Sequence, residues 1–410
     1  MPTAHLAVMP RDGLARRFCF VTDEWPRPGA AGHLAYNHAL ITHLRAAGHT
    51  VDLYLTRPRL PAPVMRLAPG TVPVAGRRLF RVGRLLVAAE PRAAAAALLR
   101  RVAPWLLPRR GVVDVVLGAS ISAADSGWIA GRIAASRRPD AILIDTIFRA
   151  PLLDEPSLSG IPTVLLTHDV FHRRHAALRL AGYSVAPAEL DRAQEAALLA
   201  RAGTLVAIQP EEAALLRGMC PSQRVLTVPM PAVPLPRPPG AARHADRLVF
   251  VGSDNLPNLD GLRWFLREIW PGLRRARPLL RLDLAGDCGA ALGRLPAGVH
   301  RLGRIADLAP LLHSASLAIA PLRAGSGLKV KLLDYARHGL WTVATPDARA
   351  GLAPDGCMPV YTADSAASFG ATILAALAHG GGEAEALAYI RRHYAPATIF
   401  ATLDEALQRA

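Results

Sequence analysis

Residues Arg17 to Thr56, RFCFVTDEWPRPGAAGHLAYNHALITHLRAAGHTVDLYLT, decide the fold class. Arg17–Thr22 reads as a buried strand, and a Pro- and Gly-rich loop, DEWPRPGAAG, follows it. His33–Ala47 reads as a helix closed by Gly48, and Val51–Thr56 as a second strand. Strand, loop, helix and strand make a βαβ unit. Further strands are expected at Val112–Leu117, Ala141–Asp145, Thr163–Thr167 and Thr204–Ile208, with helices at Ser126–Ala135 and Leu190–Arg201. Short apolar runs alternating with helices indicate a parallel sheet covered on both faces.

The pattern then stops and restarts. VPMPAVPLPRPPGAARHAD, Val228 to Asp246, is Pro-rich enough to be a semi-rigid connector. Beyond it come strand Leu248–Gly252, helix Leu259–Arg274, strands Arg281–Gly286 and Val299–Leu302, helix Ile305–His313, strand Leu317–Ala320, another helix and strand Trp341–Ala344. The expected architecture is α/β with two doubly wound, Rossmann-like domains facing a cleft, where the open ends of parallel sheets bind ligands. The expected domains are residues 1–235, residues 236–392, and a terminal helix over 393–410 that packs back across the junction.

Composition narrows the partners. Of 410 residues, 51% are hydrophobic and 20% charged, a globular balance. The formal charge of +16 favours anionic partners. The four cysteines, Cys19, Cys220, Cys288 and Cys357, are too scattered for CxxC chemistry, and no metal cluster is visible in the sequence. The first residues lack the apolar core of a signal peptide, and no uncharged apolar run reaches the roughly 18 residues of a spanning helix. The expected location is cytoplasmic, or peripheral on the inner face of the cytoplasmic membrane. No helix-turn-helix, RRM or zinc pattern supports a nucleic-acid partner.

Of the 48 Lys and Arg residues only Lys329 and Lys331 are Lys, and both fall in RAGSGLKVKLLDYARHG, Arg323 to Gly339. Arg and Lys are not interchangeable, so a chain that uses Arg elsewhere has reason to keep Lys where a compact ammonium is needed. Gly325, Ser326 and Gly327 allow a tight turn before a helix, whose first amides form an anion site. Lys331 and Asp334 are spaced to share a helix face, one to neutralise phosphate and the other to accept hydrogen bonds from ribose hydroxyls. An ordinary capped helix with a Lys–Asp surface pair fits the same residues. The pattern is neither a GxxxxGK[ST] loop nor GxGxxG.

Across Leu248–Leu352 the chain resembles the large retaining "group 1", family 4-like class of GT-B glycosyltransferases. The resemblance is carried by FVGSDNLPNLDGLRWFLREIWPGL, LDLAGDCG, VHRLGRIADLAPLLHSASLAIAP and LRAGSGLKVKLLDYARHGLWTVATPDARAGL, in the order of the class. Residues 26–51, PRPGAAGHLAYNHALITHLRAAGHTV, agree more weakly: Ala31 replaces the first Gly of the usual pair and Gly32 the second. IPTVLLTHDV places His168 at a strand end. Many members carry two glutamates with seven residues between them; here the positions hold Ser326 and Asp334.

The resemblance implies transfer of a hexosyl group from a nucleoside-diphosphate sugar to an acceptor hydroxyl with retention, in bacterial surface polysaccharide or glycolipid assembly. Gly325, Ser326, Gly327 and Lys331 would stabilise the leaving diphosphate, with no cofactor and no metal required. Gly32, Gly252, Ser253 and Asn255 would approach the phosphates, Asp334 would hold ribose, and Arg304 and Ile305 would frame the base. His168 would orient the transferred sugar, so His168, Lys331 and Asp334 are the catalytic candidates. The acceptor is expected to be a saccharide or a lipid-linked species. Residues 76–111 hold nine Arg and one Glu among apolar residues, which suits an amphipathic helix or helix pair on an anionic membrane surface, or equally a solvated basic face. His172, Arg173 and Arg174 are further candidates for an anionic acceptor. A catalytically silent scaffold of the same fold and a nucleoside-diphosphate-sugar epimerase are the competing readings.

Overall fold

The computed structural model describes residues 15–27, 32–60, 62, 64–89, 114–116, 119–180, 184–186, 190–323 and 329–409. The chain divides into two compact units, Met1–Val228 with Phe400–Ala410, and Pro229–Ile399.

The first unit is built on β1 (Arg17–Glu24), α1 (Gly32–Ala46), β2 (Thr50–Arg59), β3 (Val64–Arg66), β4 (Val74–Ala75), β5 (Leu79–Val82), β6 (Leu85–Ala88) and β7 (Asp114–Val116). It continues through α2 (Ala123–Ala134), β8 (Ala141–Asp145), β9 (Thr163–Leu166), α3 (Phe171–Leu180), β10 (Ser184–Ala186), α4 (Arg192–Leu199), β11 (Thr204–Ala207), α5 (Pro210–Met219) and β12 (Arg224–Thr227). Seven strands form one sheet in the order β12-β11-β9-β8-β1-β2-β4, with every pairing parallel. Its central strands are buried on both faces, which explains their unbroken apolar sequence. The Val112–Leu117 expectation survives only as β7, which pairs with β10 outside that sheet.

One expectation for this unit is overturned. Residues 79–88 are a β-hairpin, not a helix: β5 and β6 pair antiparallel, and β3 adds on the far side of β6. Gly83, with φ +58, supplies the turn. Residues 90–111 of the expected amphipathic element lie outside the described residues.

The second unit comprises β13 (His244–Val251), α6 (Leu256–Trp264), α7 (Trp270–Ala276), β14 (Arg281–Ala285), β15 (Val299–Gly303), α8 (Ala309–Ser314), β16 (Ala315–Ala320), α9 (Val330–Arg337), β17 (Thr342–Ala344), α10 (Pro346–Arg349) and β18 (Val360–Thr362), then α11 (Ala366–His379) and α12 (Glu383–Tyr394). The six strands run β15-β14-β13-β16-β17-β18, all parallel. Alternation along the strands fills two cores. Leu248 and Phe250 of β13 with Leu317 and Ile319 of β16 join one, while Val249 and Ala318 join the other. The expected single helix Leu259–Arg274 is interrupted by a wide turn at Phe265–Ile269, just before Pro271, which has no N–H to donate into the helix ladder. The last helix, α13 (Pro396–Gln408), extends into the segment that belongs to the first unit. Within that unit its Asp404 carboxylate meets His43 Nε2 at 2.9 Å, and Phe400 packs on Tyr36 and His43.

Candidate functional site

In the second unit the strand order reverses direction between β13 and β16. Loops that leave adjacent strands on opposite sides open a crevice at the carboxyl edge, the usual ligand site of such sheets. Gly252, Ser253 and Asn255 follow β13 there. The strand ends are laced together: Gly252 N donates to Ala285 O at 3.0 Å, and Gly286 N to Gly303 O at 2.7 Å. This closeness needs glycine. A Cβ on Gly286, where φ is +91, would stand 2.2 Å from the Gly252 carbonyl oxygen.

Asn255 caps α6, its Oδ1 accepting from Asn258 N at 3.1 Å, and its Nδ2 donates to Ser253 Oγ at 3.1 Å. Asn258 Nδ2 donates to the Ser253 carbonyl at 2.9 Å, so Asn258 Oδ1 is left to accept from Lys331 Nζ at 2.6 Å. The ammonium also stands 4.1 Å from the centre of the Phe250 ring, a cation–π contact. Burial pushes Lys331 down to about 7; the Cys288 thiol opposes the shift and the like charge of Lys329 adds to it.

Lys329 has non-helical backbone angles, φ −82 and ψ 88, so α9 starts at Val330 and Lys331 falls in its first turn, nearer the helix start than its distance from Gly327 suggested. Val251 N donates to Tyr335 Oη at 2.8 Å and ties α9 to the end of β13. Asp334 pairs with Arg337 at 3.6 Å. Its side chain is 42% exposed, yet the protein wall around it pushes the carboxyl up to about 6 against the pull of Arg337. Arg304, on the loop after β15, donates from Nε to Asp287 at 2.6 Å and is otherwise open to solvent, while Ile305 packs on the core beside Val249. Gly325, Ser326 and Gly327 lie outside the described residues.

The first unit carries a second cluster at the corresponding place. Its strand order reverses between β1 and β8. Asp145 ends β8 and is fully buried; its Oδ1 meets His168 Nε2 at 2.9 Å, and its Oδ2 accepts from Thr22 Oγ1 at 2.6 Å. Burial alone would raise this carboxyl. The hydrogen bond and charge of His168, with Arg149 and His33, hold it well below the usual carboxylate range instead. In its neutral form His168 keeps its proton on Nε2, toward the ionised Asp145, which leaves Nδ1 as an acceptor. The buried Arg149 donates to Thr146 Oγ1 at 2.6 Å and pairs with Asp23. His168 has φ 57 and Thr146 φ 61, both unusual for non-glycine residues and both at strand ends in this cluster. Tyr36 meets the His168 ring edge-on at 5.3 Å.

The loop after His168 is held from below. Buried Glu195 accepts from Phe171 N and His172 N, each at 2.8 Å, and from His172 Nδ1 at 2.7 Å. His172 is thus bonded to Glu195 through Nδ1, and Arg174 Nη1 donates to Asp169 at 2.6 Å. Gly32 opens α1 and is exposed.

The structure thus gathers Gly252, Ser253, Asn255 and Lys331 around Asn258, a residue that sequence reasoning passed over although it lies within the quoted GSDNLPNL. Asp145, also passed over, was visible only as the end of AILID. Among the described residues no group of His, Cys, Asp and Glu is arranged to hold a metal ion, and no helix is long and apolar enough to cross a membrane.

Residues 245–379 match the family described as glycosyl transferases group 1. No curated protein matches the sequence. Solved structures similar to nearly the whole chain include sucrose-phosphate synthase from Thermosynechococcus elongatus, at 15% identity and TM-score 0.62 over 96% of this chain and 98% of that one. Anabaena HepE in complex with UDP and glucose is similar at 14% identity and TM-score 0.57, covering 96% and 100%. A glycosyltransferase from Rickettsia africae is similar at 11% identity and TM-score 0.58, covering 97% and 99%. At these identities the likeness is one of fold. The chain is a two-domain α/β protein of the GT-B fold whose residues 245–379 match the group 1 glycosyltransferase family.

Proposed function

We propose that the protein is a hexosyltransferase that moves a sugar from a nucleoside-diphosphate donor to an acceptor hydroxyl. The observation that carries this is the convergence of Lys331, Asn258 and Phe250 at the switch point of the group 1 domain. A lysine held near 7 by burial is ready to regain its charge when a diphosphate arrives. It then stabilises the negative charge that grows on the leaving group, with Ser253 and the backbone near Gly252 beside it. Charge neutralisation rests on Lys331 in this reading, so a chelator leaves the activity intact. Asp334 serves the ribose hydroxyls as an acceptor. The complex of Anabaena HepE with UDP and glucose makes UDP the first donor base to try.

His168 serves the transferred glycosyl group, accepting a hydrogen bond at Nδ1 while Asp145 holds the ring. Both Asp145 oxygens are occupied, which argues against this carboxylate as a covalent nucleophile and favours retention on the donor's own face. The same pair supports a second reading, in which His168, backed by Asp145, is the general base of an inverting transfer. A saccharide or lipid-linked acceptor in bacterial surface assembly fits either course. Release of UDP, GDP or ADP from a sugar donor tests the proposal, and the anomeric configuration of the product, read by proton NMR, separates the two courses. No nucleoside diphosphate released with any donor and acceptor would favour a silent scaffold, and an epimerised donor formed without acceptor would favour an epimerase.

A further inference from the structure

The sheet β3-β6-β5 carries a surface that the transfer reaction does not use. Its register decides which side chains share a face. Val82 stands opposite Leu85, Phe80 and Val64 both opposite Val87, and Arg66 opposite Leu85. Opposed residues project to the same side, so these six form one face. The other face holds Met65, Leu79, Arg81, Leu86 and Ala88, and Leu86 is fully buried. The first face is open: Val64 is 51% exposed, Phe80 57%, Val82 67% and Leu85 43%. The other large exposed hydrophobics among the described residues, Val233, Leu235 and Leu279, lie in the second unit. A contiguous apolar patch with a polar rim marks an interaction surface.

The rim is of one sign. Arg77, which pairs with the buried Asp125 at 3.8 Å, and Arg78 precede β5, Arg81 lies within it and Arg84 sits in the turn; no Asp or Glu occurs from Leu53 to Ala89. Arg81 Nε donates to Gly83 O at 3.0 Å and Arg84 Nη2 to Leu67 O at 3.2 Å, so the arginines stay beside the turn.

Charge selects the occupant. The chain that follows carries Arg92, Arg100, Arg101, Arg109 and Arg110 against Glu90 alone, so it would cover a basic surface with more basic residues. A second copy of the chain would set arginine against arginine. What fits is apolar in depth and negative at its surface. We propose that this sheet face docks on an anionic lipid bilayer, with Phe80, Val82 and Leu85 at the acyl boundary and Arg66 at the headgroup phosphates. A membrane-docked first unit would bring the enzyme to a lipid-linked acceptor. The docking itself does not depend on the donor reading.

Co-sedimentation of the full chain with phosphatidylcholine vesicles, with and without phosphatidylglycerol, tests this. Binding is expected only with phosphatidylglycerol and is expected to weaken as salt rises. Phe80→Ser with Val82→Ser should cut it by about tenfold or more, and Arg66→Gln by about fivefold. These side chains are exposed, so the melting temperature and nucleoside-diphosphate binding should stay unchanged, which separates a failed surface from a failed donor site. Absence of vesicle binding, equal binding to neutral vesicles, or loss of self-association with unchanged lipid binding in the double variant would overturn the proposal.

Discussion

Lys331 reaches from α9 to Asn258 on α6, donating a 2.6 Å hydrogen bond while its ammonium stands 4.1 Å from the centre of the Phe250 ring. A compact ammonium makes both contacts at once, and a planar guanidinium has a different reach and shape. Lys331→Arg should therefore lower kcat/KM by about 10- to 100-fold, the scale of a lost charge-assisted hydrogen bond. Lys329→Arg should change it by less than about threefold, in the range of ordinary surface substitutions. Steady-state kinetics on both variants decide the matter; equal, mild losses would remove the reason given for these two lysines.

Asn258 should behave as part of the donor site although it need not touch the donor. Asn258→Ala leaves the Lys331 ammonium without its acceptor and frees the Ser253 carbonyl. Titration calorimetry should show nucleoside-diphosphate affinity falling by about tenfold, with the fold retained by circular dichroism. Unchanged affinity would place Asn258 in a purely structural role.

The pH dependence has a definite sign. Lys331 must be charged to hold a diphosphate, and its value of about 7 means that the charged fraction of the free protein falls as pH rises through neutrality. Asp334 must be ionised to accept from ribose, and its value of about 6 means that the carboxylate is gained as pH rises through that point. kcat/KM, which reports the free enzyme, should be bell-shaped, rising through about 6 and falling above about 7. Above neutrality, donor binding should take up a proton, seen as an enthalpy that changes with the buffer. A flat profile from acid to alkaline pH would show that neither group governs binding.

Asp145→Asn keeps the shape of the buried carboxylate but not its charge, so His168 loses the partner that fixes its tautomer. kcat should fall by about a hundredfold or more, while nucleoside-diphosphate affinity measured by calorimetry stays the same. A parallel loss of affinity would indicate a general disturbance of the fold and not an effect on the transferred sugar.

Much of the fold was legible because the signals are local. Ala141–Asp145 is an apolar run that cannot be anything but a buried strand in this setting, and the structure begins and ends it where the sequence does. The hairpin of residues 79–88 was not legible, because RLFRVGRLLVA interleaves Arg with apolar residues closely enough to mimic an amphipathic helix; only the Gly83 turn betrays the alternation. The glycines and Lys331 of the proposed donor site announce themselves through residue type. Asn258 and Asp145 do not, since their meaning comes from partners 73 and 23 residues away along the chain. Asparagine and aspartate at helix starts and strand ends are common, and only the folded contacts distinguish these two.

The central claim is that the carboxyl edge of the second sheet binds a nucleoside diphosphate through Lys331. It is tested most directly by melting the protein, and the Lys331→Arg variant, in the presence of UDP, GDP and ADP. Binding to the native state alone raises the melting temperature by mass action. One of the three should raise it in the original protein and fail to do so in the variant. No rise with any of them, or the same rise in both proteins, would contradict the claim.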